Sequence, residues 1–258
     1  MPPEPDPRRP PQAAVPQRLF ALGAAAFAVV GGLSLAIATH AEVVTRMDLA
    51  GHHWAVAHRS DATISLARGL SFVGVGRFTV PALFLIGALA PRGPRPLPTR
   101  IASGAVLAGV AALGGVMGVG LNRLLERQRP LETDWAGAAA AASFPSGHTT
   151  TATLFAAGCT WAILTRVGFR RDHPRLTVVA VGALAAYALG VGCSRVWLGV
   201  HWPSDVLAGW SFALGWSAVA AATALSVART RTGQVGMAQV GRTDAEAVAG
   251  EASEGRRA

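Results

Sequence analysis

Lysine is missing from this 258-residue chain, so arginine supplies all 23 of its basic groups. Charge is scarce, at 14% of residues against 51% hydrophobic, and the apolar residues stand in long blocks rather than at amphipathic spacing. That shortage excludes an ordinary water-soluble composition and marks a membrane protein. Cysteine is limited to Cys159 and Cys193, each inside an apolar block and without ligand spacing, which excludes a cysteine metal cluster. Internal repeats are absent as well. The formal net charge of +9 and a pI near 11.4 would suit nucleic acid, but the arginines form no single basic face, and no nucleic-acid partner is expected.

What the chain does contain is a series of apolar blocks, at 19–39, 70–90, 101–121, 147–165, 176–193 and 204–227. A hydrocarbon core about 30 Å thick is crossed by roughly 20 such residues in a helix. The fourth block is shorter and rich in Thr. The first exceeds the apolar core of a secretory signal, and further spans follow it. The expected fold is all-α: an integral membrane bundle of six transmembrane helices, with an interfacial helix in 41–69, between spans one and two. His52, His53 and His58 in that segment read as polar residues at a wet surface rather than as a metal site. The proline-rich residues 1–17 and the small, polar residues 229–258 are expected to be disordered tails, leaving 18–228 as the membrane domain. Six spans put both termini on one side. Most arginines flank that side, among them Arg8, Arg9, Arg95, Arg100, Arg166, Arg171 and Arg229, so the positive-inside rule places the termini in the cytoplasm.

Three polar clusters interrupt the apolar chain, and all fall on the outer side by this topology: Asn122 to Pro130, Phe144 to His148, and Ser194 to Asp205. Pro145 suits the first turn of a helix, Gly147 admits close approach to the backbone, and the free amides of that helix start form an anion site. His148 stands in the same turn. His201 and Asp205 are four apart after a second helix-starting proline, Pro203, so the carboxylate can hold one imidazole nitrogen and leave the other free to attack. Arg129 and Arg195 offer planar forks that match phosphate oxygens in pairs. Any one of these features has an ordinary structural explanation. Their joint occurrence on one side of a membrane is what points to chemistry on phosphate.

At these residues the sequence resembles the superfamily of type 2 phosphatidic acid phosphatases, undecaprenyl-pyrophosphate phosphatases, glucose-6-phosphatase and vanadium haloperoxidases. The family pattern is Lys-x6-Arg-Pro, then Pro-Ser-Gly-His, then Ser-Arg-x5-His-x3-Asp. Pro145 to His148 match the second element, and Ser194, Arg195, His201 and Asp205 match the third. In the first, Arg129 and Pro130 match but Asn122 stands where the family has lysine, with Arg123 and Arg127 nearby as other sources of charge. The resemblance implies a metal-free, cofactor-free phosphatase of lipid phosphates at the outer face of the cell membrane. By that resemblance His201 is the nucleophile, Asp205 its orienting group and His148 the general acid and base. Arg129, Arg195, Ser146, Gly147 and, less directly, Asn122 and Ser194 would hold the phosphoryl oxygens. The alternatives are a vanadate-dependent haloperoxidase, against which the membrane spans argue, and a lipid-phosphate binding protein weakened at Asn122.

Overall fold

The structure, a computed structural model, describes residues 14–74, 76–91, 93–166 and 169–254, with the side chains of 169, 170 and 231–254 outside that description. Residues 1–13 and 255–258 of the two expected tails lie outside it as well. Helix is the only regular structure among the described residues. The elements are α1 (Ala14–Ala38), α2 (Glu42–His58), α3 (Asp61–Val73), α4 (Gly76–Leu89), α5 (Leu97–Leu125), a 3-10 turn at Glu132–Asp134, α6 (Gly147–Thr165), the short α7 (Phe169–Asp172), α8 (Pro174–Trp197) and α9 (Pro203–Glu254). Residues 21–218 form one compact unit; 1–20 and 219–258 form another. In the second unit the backbone is helical as far as Glu254. The sequence is proline-free there, which permits a helix to continue.

Among the described residues, four helices are long and apolar enough to cross a membrane: α1, α5, α8 and α9 over Pro203–Thr230. A fifth is reached only if the bent pair α3 and α4 counts as one span. The single block expected at 70–90 is thus broken. Gly74 caps α3, its N–H donating to Ser71 O at 3.2 Å, and α4 starts afresh at Gly76. The other revision concerns α6. Its 19 residues bury Thr149, Thr150, Ala152, Thr153, Leu154, Ala156, Cys159 and Ala162, because it packs against α4, α5 and α8 at once. A helix surrounded by protein can carry Thr hydroxyls that bond back to its own carbonyls, as Thr150 and Thr153 do, and it has little need of lipid-facing Leu or Val.

Large apolar side chains stand exposed along the outer helices, including Leu35 on α1, Val106 and Val116 on α5, and Val178 and Val179 on α8. Inside, Leu83, Ala111, Leu154, Cys159 and Ala213 form one core cluster. Helices α4 and α5 approach through small residues: a Cβ on Gly87 would stand 2.9 Å from Gly104 Cα, and one on Gly104 would stand 2.6 Å from Phe84 O. A second cluster, built on Ala67, Leu198 and Val200, underlies the loop between α5 and α6. Segment 41–69 folds as two helices rather than one, since Ser60 and Thr63 form a capping box that starts α3. The buried face of α2 carries Asp48, His52 and Ala55, at positions i, i+4 and i+7.

Candidate active site

The connection from α8 to α9 is short and tightly held. Gly199 turns it with φ +72°, and a Cβ at that position would collide with Asp134 O, so glycine is required twice over. Leu198 and Val200 are buried on either side as anchors, and Pro203 opens α9. This fixes His201, 2% exposed, above the first turn of α9, where Asp205 is fully buried. Asp205 Oδ2 accepts from Trp202 N at 2.9 Å and faces His201 Nδ1 at 3.4 Å. On the far side of the ring Arg129 Nη1 donates to His201 Nε2 at 3.0 Å. An arginine can only donate, so Nε2 holds the lone pair and Nδ1 carries the hydrogen, directed at Asp205. Burial pushes the His201 pKa down to about 4; Asp205 works against that, and the charges of Arg129 and Arg195 add to it. The ring is accordingly neutral at pH 7 and presents a lone pair at Nε2.

Two guanidinium groups flank that lone pair, and neither forms an ion pair among the described residues. Arg129 is threaded through the α5–α6 loop, donating to Ala140 O at 2.8 Å, Ala141 O at 3.0 Å, Ala142 O at 2.9 Å and Val200 O at 2.6 Å. Arg195, 3% exposed, donates to Ser71 Oγ and to Ala138 O, the latter at 3.2 Å, while its Nε is buried with no partner. A buried N–H without an acceptor is costly, and an anionic oxygen would relieve it. His148, half-buried in the first turn of α6, lies within electrostatic reach of Arg195, His201 and Arg129.

Ser146 serves as N-cap residue of α6, and Pro145 precedes it, outside the first turn where the sequence reading put it. The Ser146 backbone donates to Asp205 O at 3.0 Å, which ties the start of α6 to α9. Ser146 Oγ accepts from Thr149 Oγ1 at 2.9 Å and keeps its own hydrogen to give. A Cβ at Gly147 would meet nothing within 4 Å, so the space beside this turn is open. A cavity of about 630 Å³ adjoins Arg129, lined by Glu126, Gln128, Leu131, Glu132 and Trp135 among others.

The structure brings His201, Asp205, His148, Arg129, Arg195, Ser146 and Gly147 together at one end of the bundle. Two sequence candidates are otherwise employed. Asn122 gives both amide hydrogens to loop carbonyls, Ala142 O at 2.9 Å and Phe144 O at 3.1 Å. Ser194 gives its hydroxyl hydrogen to Val191 O at 2.7 Å within its own helix. Neither does Arg127 supply a free charge in place of the family lysine, because Asp205 Oδ1 and Asp48 Oδ2 each accept from it at 2.6 Å. The sequence reading missed Asp48 and His52. His52 is buried and bonds Asp134 Oδ2 at 2.9 Å, so it is not the wet surface residue expected, whereas His53 and His58 are exposed. The spacing of Asp48, His52 and Ala55 puts them on one helical face, but nothing in that spacing names the partners they meet.

The PAP2 superfamily model matches residues 102–231, half of the chain. Phosphatidylglycerophosphatase B of Bacillus subtilis (strain 168) is 29% identical over 184 residues, covering 70% of this chain and 85% of that protein. Decaprenylphosphoryl-5-phosphoribose phosphatase of Mycolicibacterium smegmatis is 34% identical over 146 residues, 55% of this chain and 69% of that one. Among solved structures, the first transmembrane PAP2 type phosphatidylglycerolphosphate phosphatase from Bacillus subtilis superposes with a TM-score of 0.67 at 25% identity, covering 79% of this chain and 95% of that chain.

Proposed function

The chain belongs to the PAP2 superfamily and is a lipid phosphatase, and we propose that it hydrolyses a lipid-linked phosphomonoester or pyrophosphate through a phosphohistidine on His201. One observation carries this reading: a neutral, buried imidazole whose Nδ1 faces a carboxylate and whose Nε2 lone pair opens between two arginines and a second histidine.

In the first step the Nε2 lone pair attacks phosphorus, the P–N bond forms, and the bond to the leaving oxygen breaks as His148 gives that oxygen a proton. Positive charge develops on the His201 ring, and Asp205 stabilises it across Nδ1–H. Arg129, the unpartnered Nε of Arg195, the Ser146 hydroxyl and the open first turn of α6 bind the phosphoryl oxygens. As substrate enters, Arg129 Nη1 keeps its proton and redirects its hydrogen bond from His201 Nε2 to a phosphoryl oxygen, which frees the lone pair. In the second step His148 takes a proton from water, the hydroxide attacks phosphorus, and the P–N bond breaks to release inorganic phosphate and neutral His201. The arginines supply the positive charge that the transition state needs, so turnover is expected to withstand a chelator.

α6 completes a six-span bundle with the α3–α4 pair, and both termini face the cytoplasm. The site then opens at the outer surface, where a substrate's chains stay in the bilayer. The candidate lipids are a polyprenyl pyrophosphate and a phosphatidate-like monoester. The relatives, by their names, act on phosphatidylglycerophosphate and on decaprenylphosphoryl-5-phosphoribose. The test is phosphate release from a panel of these lipids and a water-soluble phosphate ester by purified protein in detergent with EDTA. Lipid-selective release that His201→Ala abolishes supports the reading. Preference for the soluble ester, or release that survives His201→Ala, overturns it.

A further inference from the structure

Asp205 has two oxygens, and only one faces the nucleophile. Oδ1 accepts from Arg127 Nη1 at 2.6 Å; Oδ2 accepts from Trp202 N and faces His201 Nδ1. Arg127 divides itself as well. Its Nη1 also reaches Ser204 Oγ at 2.7 Å, while Nη2 donates to Asp48 Oδ2 at 2.6 Å. Asp48, 2% exposed, accepts further from Ser204 N at 2.8 Å and from Ser204 Oγ at 2.6 Å. The result is a buried chain, Asp48 to Arg127 to Asp205 to His201, that runs from α2 through the α5–α6 loop to the start of α9.

We propose that Asp48 and Arg127 are positioning residues of the phosphotransfer, holding Asp205 so that one of its oxygens is reserved for His201. The inference rests on the phosphohistidine reading above. A guanidinium beside a lone carboxylate tends to take both oxygens in a fork. Such a pairing would draw Asp205 Oδ2 away from the imidazole and neutralise its charge. Asp48 prevents this by occupying Nη2. It also leaves the trio of two carboxylates and one guanidinium with a net negative charge, so His201 feels a carboxylate rather than a closed ion pair. Asp48 stands on α2, outside residues 102–231 that match the family model, so the motif alone does not reveal it.

The two residues act on His201 with opposite sign, and this separates positioning from mere support. The charged or titratable groups that face His201 are Asp205, Arg129, Arg195 and His148. Asp48→Asn leaves Arg127 to neutralise Asp205, so His201 becomes less basic. The acid limb of kcat/KM then moves to lower pH, and kcat falls roughly 10- to 100-fold with little change in KM, as outer-shell partners of a reactive group commonly do. Arg127→Gln strips Asp205 of its counter-charge, and the acid limb moves to higher pH. The double variant Asp48→Asn/Arg127→Gln restores the net charge, and its acid limb returns toward that of the unchanged protein.

The experiment measures the pH profiles of kcat and kcat/KM for phosphate release by the full chain in detergent, with thermal unfolding of every variant and His201→Ala in parallel. Opposite displacements in the single variants and their cancellation in the double variant support the proposal. An unmoved acid limb in a single variant that folds overturns it, whether or not activity is lost. If one single variant fails to fold, the other decides: a limb displaced in its stated direction supports the proposal, and an unmoved or oppositely displaced one overturns it. Release that persists in His201→Ala would instead overturn the phosphohistidine reading, which keeps the two failures distinct.

Discussion

At the scale of single residues, the proposed mechanism turns on His201, and the burial of that ring has consequences in both activity and stability. Removing the imidazole in His201→Ala should lower phosphate release by about three orders of magnitude or more, as loss of a catalytic nucleophile does elsewhere. The pH dependence follows from the folded pKa of about 4 against an ordinary 6.5. The unfolded chain binds a proton as pH falls through 6.5 and the folded chain binds it only near 4. Stability contributed by the neutral ring is therefore complete above pH 6.5 and is lost progressively as pH falls toward 4. The acid limb of kcat/KM should lie near pH 4 as well, and a limb near 6.5 in a pH–rate profile would contradict the buried neutral ring. Asn122 has a different task. Because it donates to the Ala142 and Phe144 carbonyls, Asn122→Ala should strip Phe144 O of this donor, leave Ala142 O to Arg129 alone, and reduce kcat about tenfold, measured by the same assay. His201, Asp205, His148, Arg129 and Arg195 were legible from sequence because their spacing is local to each motif. Asp48 was not, since its partners lie 79 and 156 residues away and no pattern within α2 names them.

At the scale of elements, the helices that carry the motifs are placed by glycines and caps. The α4–α5 contact, where Gly87 and Gly104 let two backbones meet, holds α5 and hence the loop that bears Arg129. Gly104→Leu should force the pair apart, at a cost of about 1–3 kcal/mol for overpacking, and lower the unfolding temperature in detergent while leaving His201 chemically intact. The break between α2 and α3 was not anticipated, although Ser60 and Thr63 are ordinary capping residues; the mixed composition of 41–69 masked two short helices inside one segment. The same mixture has a reason in the structure. α2 turns Asp48 and His52 inward, toward Arg127 and Asp134, and exposes Val43, Met47 and Trp54 on other faces. A helix that buries Asp48 and His52 and exposes Val43, Met47 and Trp54 among charged residues departs from the pattern on which an interfacial reading depends.

At the scale of the whole molecule, the distribution of arginines predicts an orientation that labelling can test. In a background with Cys159→Ala and Cys193→Ala, Thr133→Cys, exposed beside the site, should react with an impermeant maleimide in intact cells. Pro94→Cys, exposed on the connection between α4 and α5, should not react until the membrane is opened. The reverse result would invert the topology and place the phosphatase site in the cytoplasm.

The sequence by itself determined that this is an all-helical membrane chain and which polar motifs the fold gathers at one end of the bundle, because hydropathy and motif spacing are properties of adjacent residues. Only the tertiary structure decided that α6 is enclosed by its neighbours, that the expected second span is broken at Gly74, and that Asn122 serves the loop instead of a phosphate. Tertiary packing also joined Asp48 and Arg127 to Asp205. Each of these depends on which groups meet across tens of residues, and a buried polar atom takes the partner that folding brings within 3 Å, which no local pattern encodes.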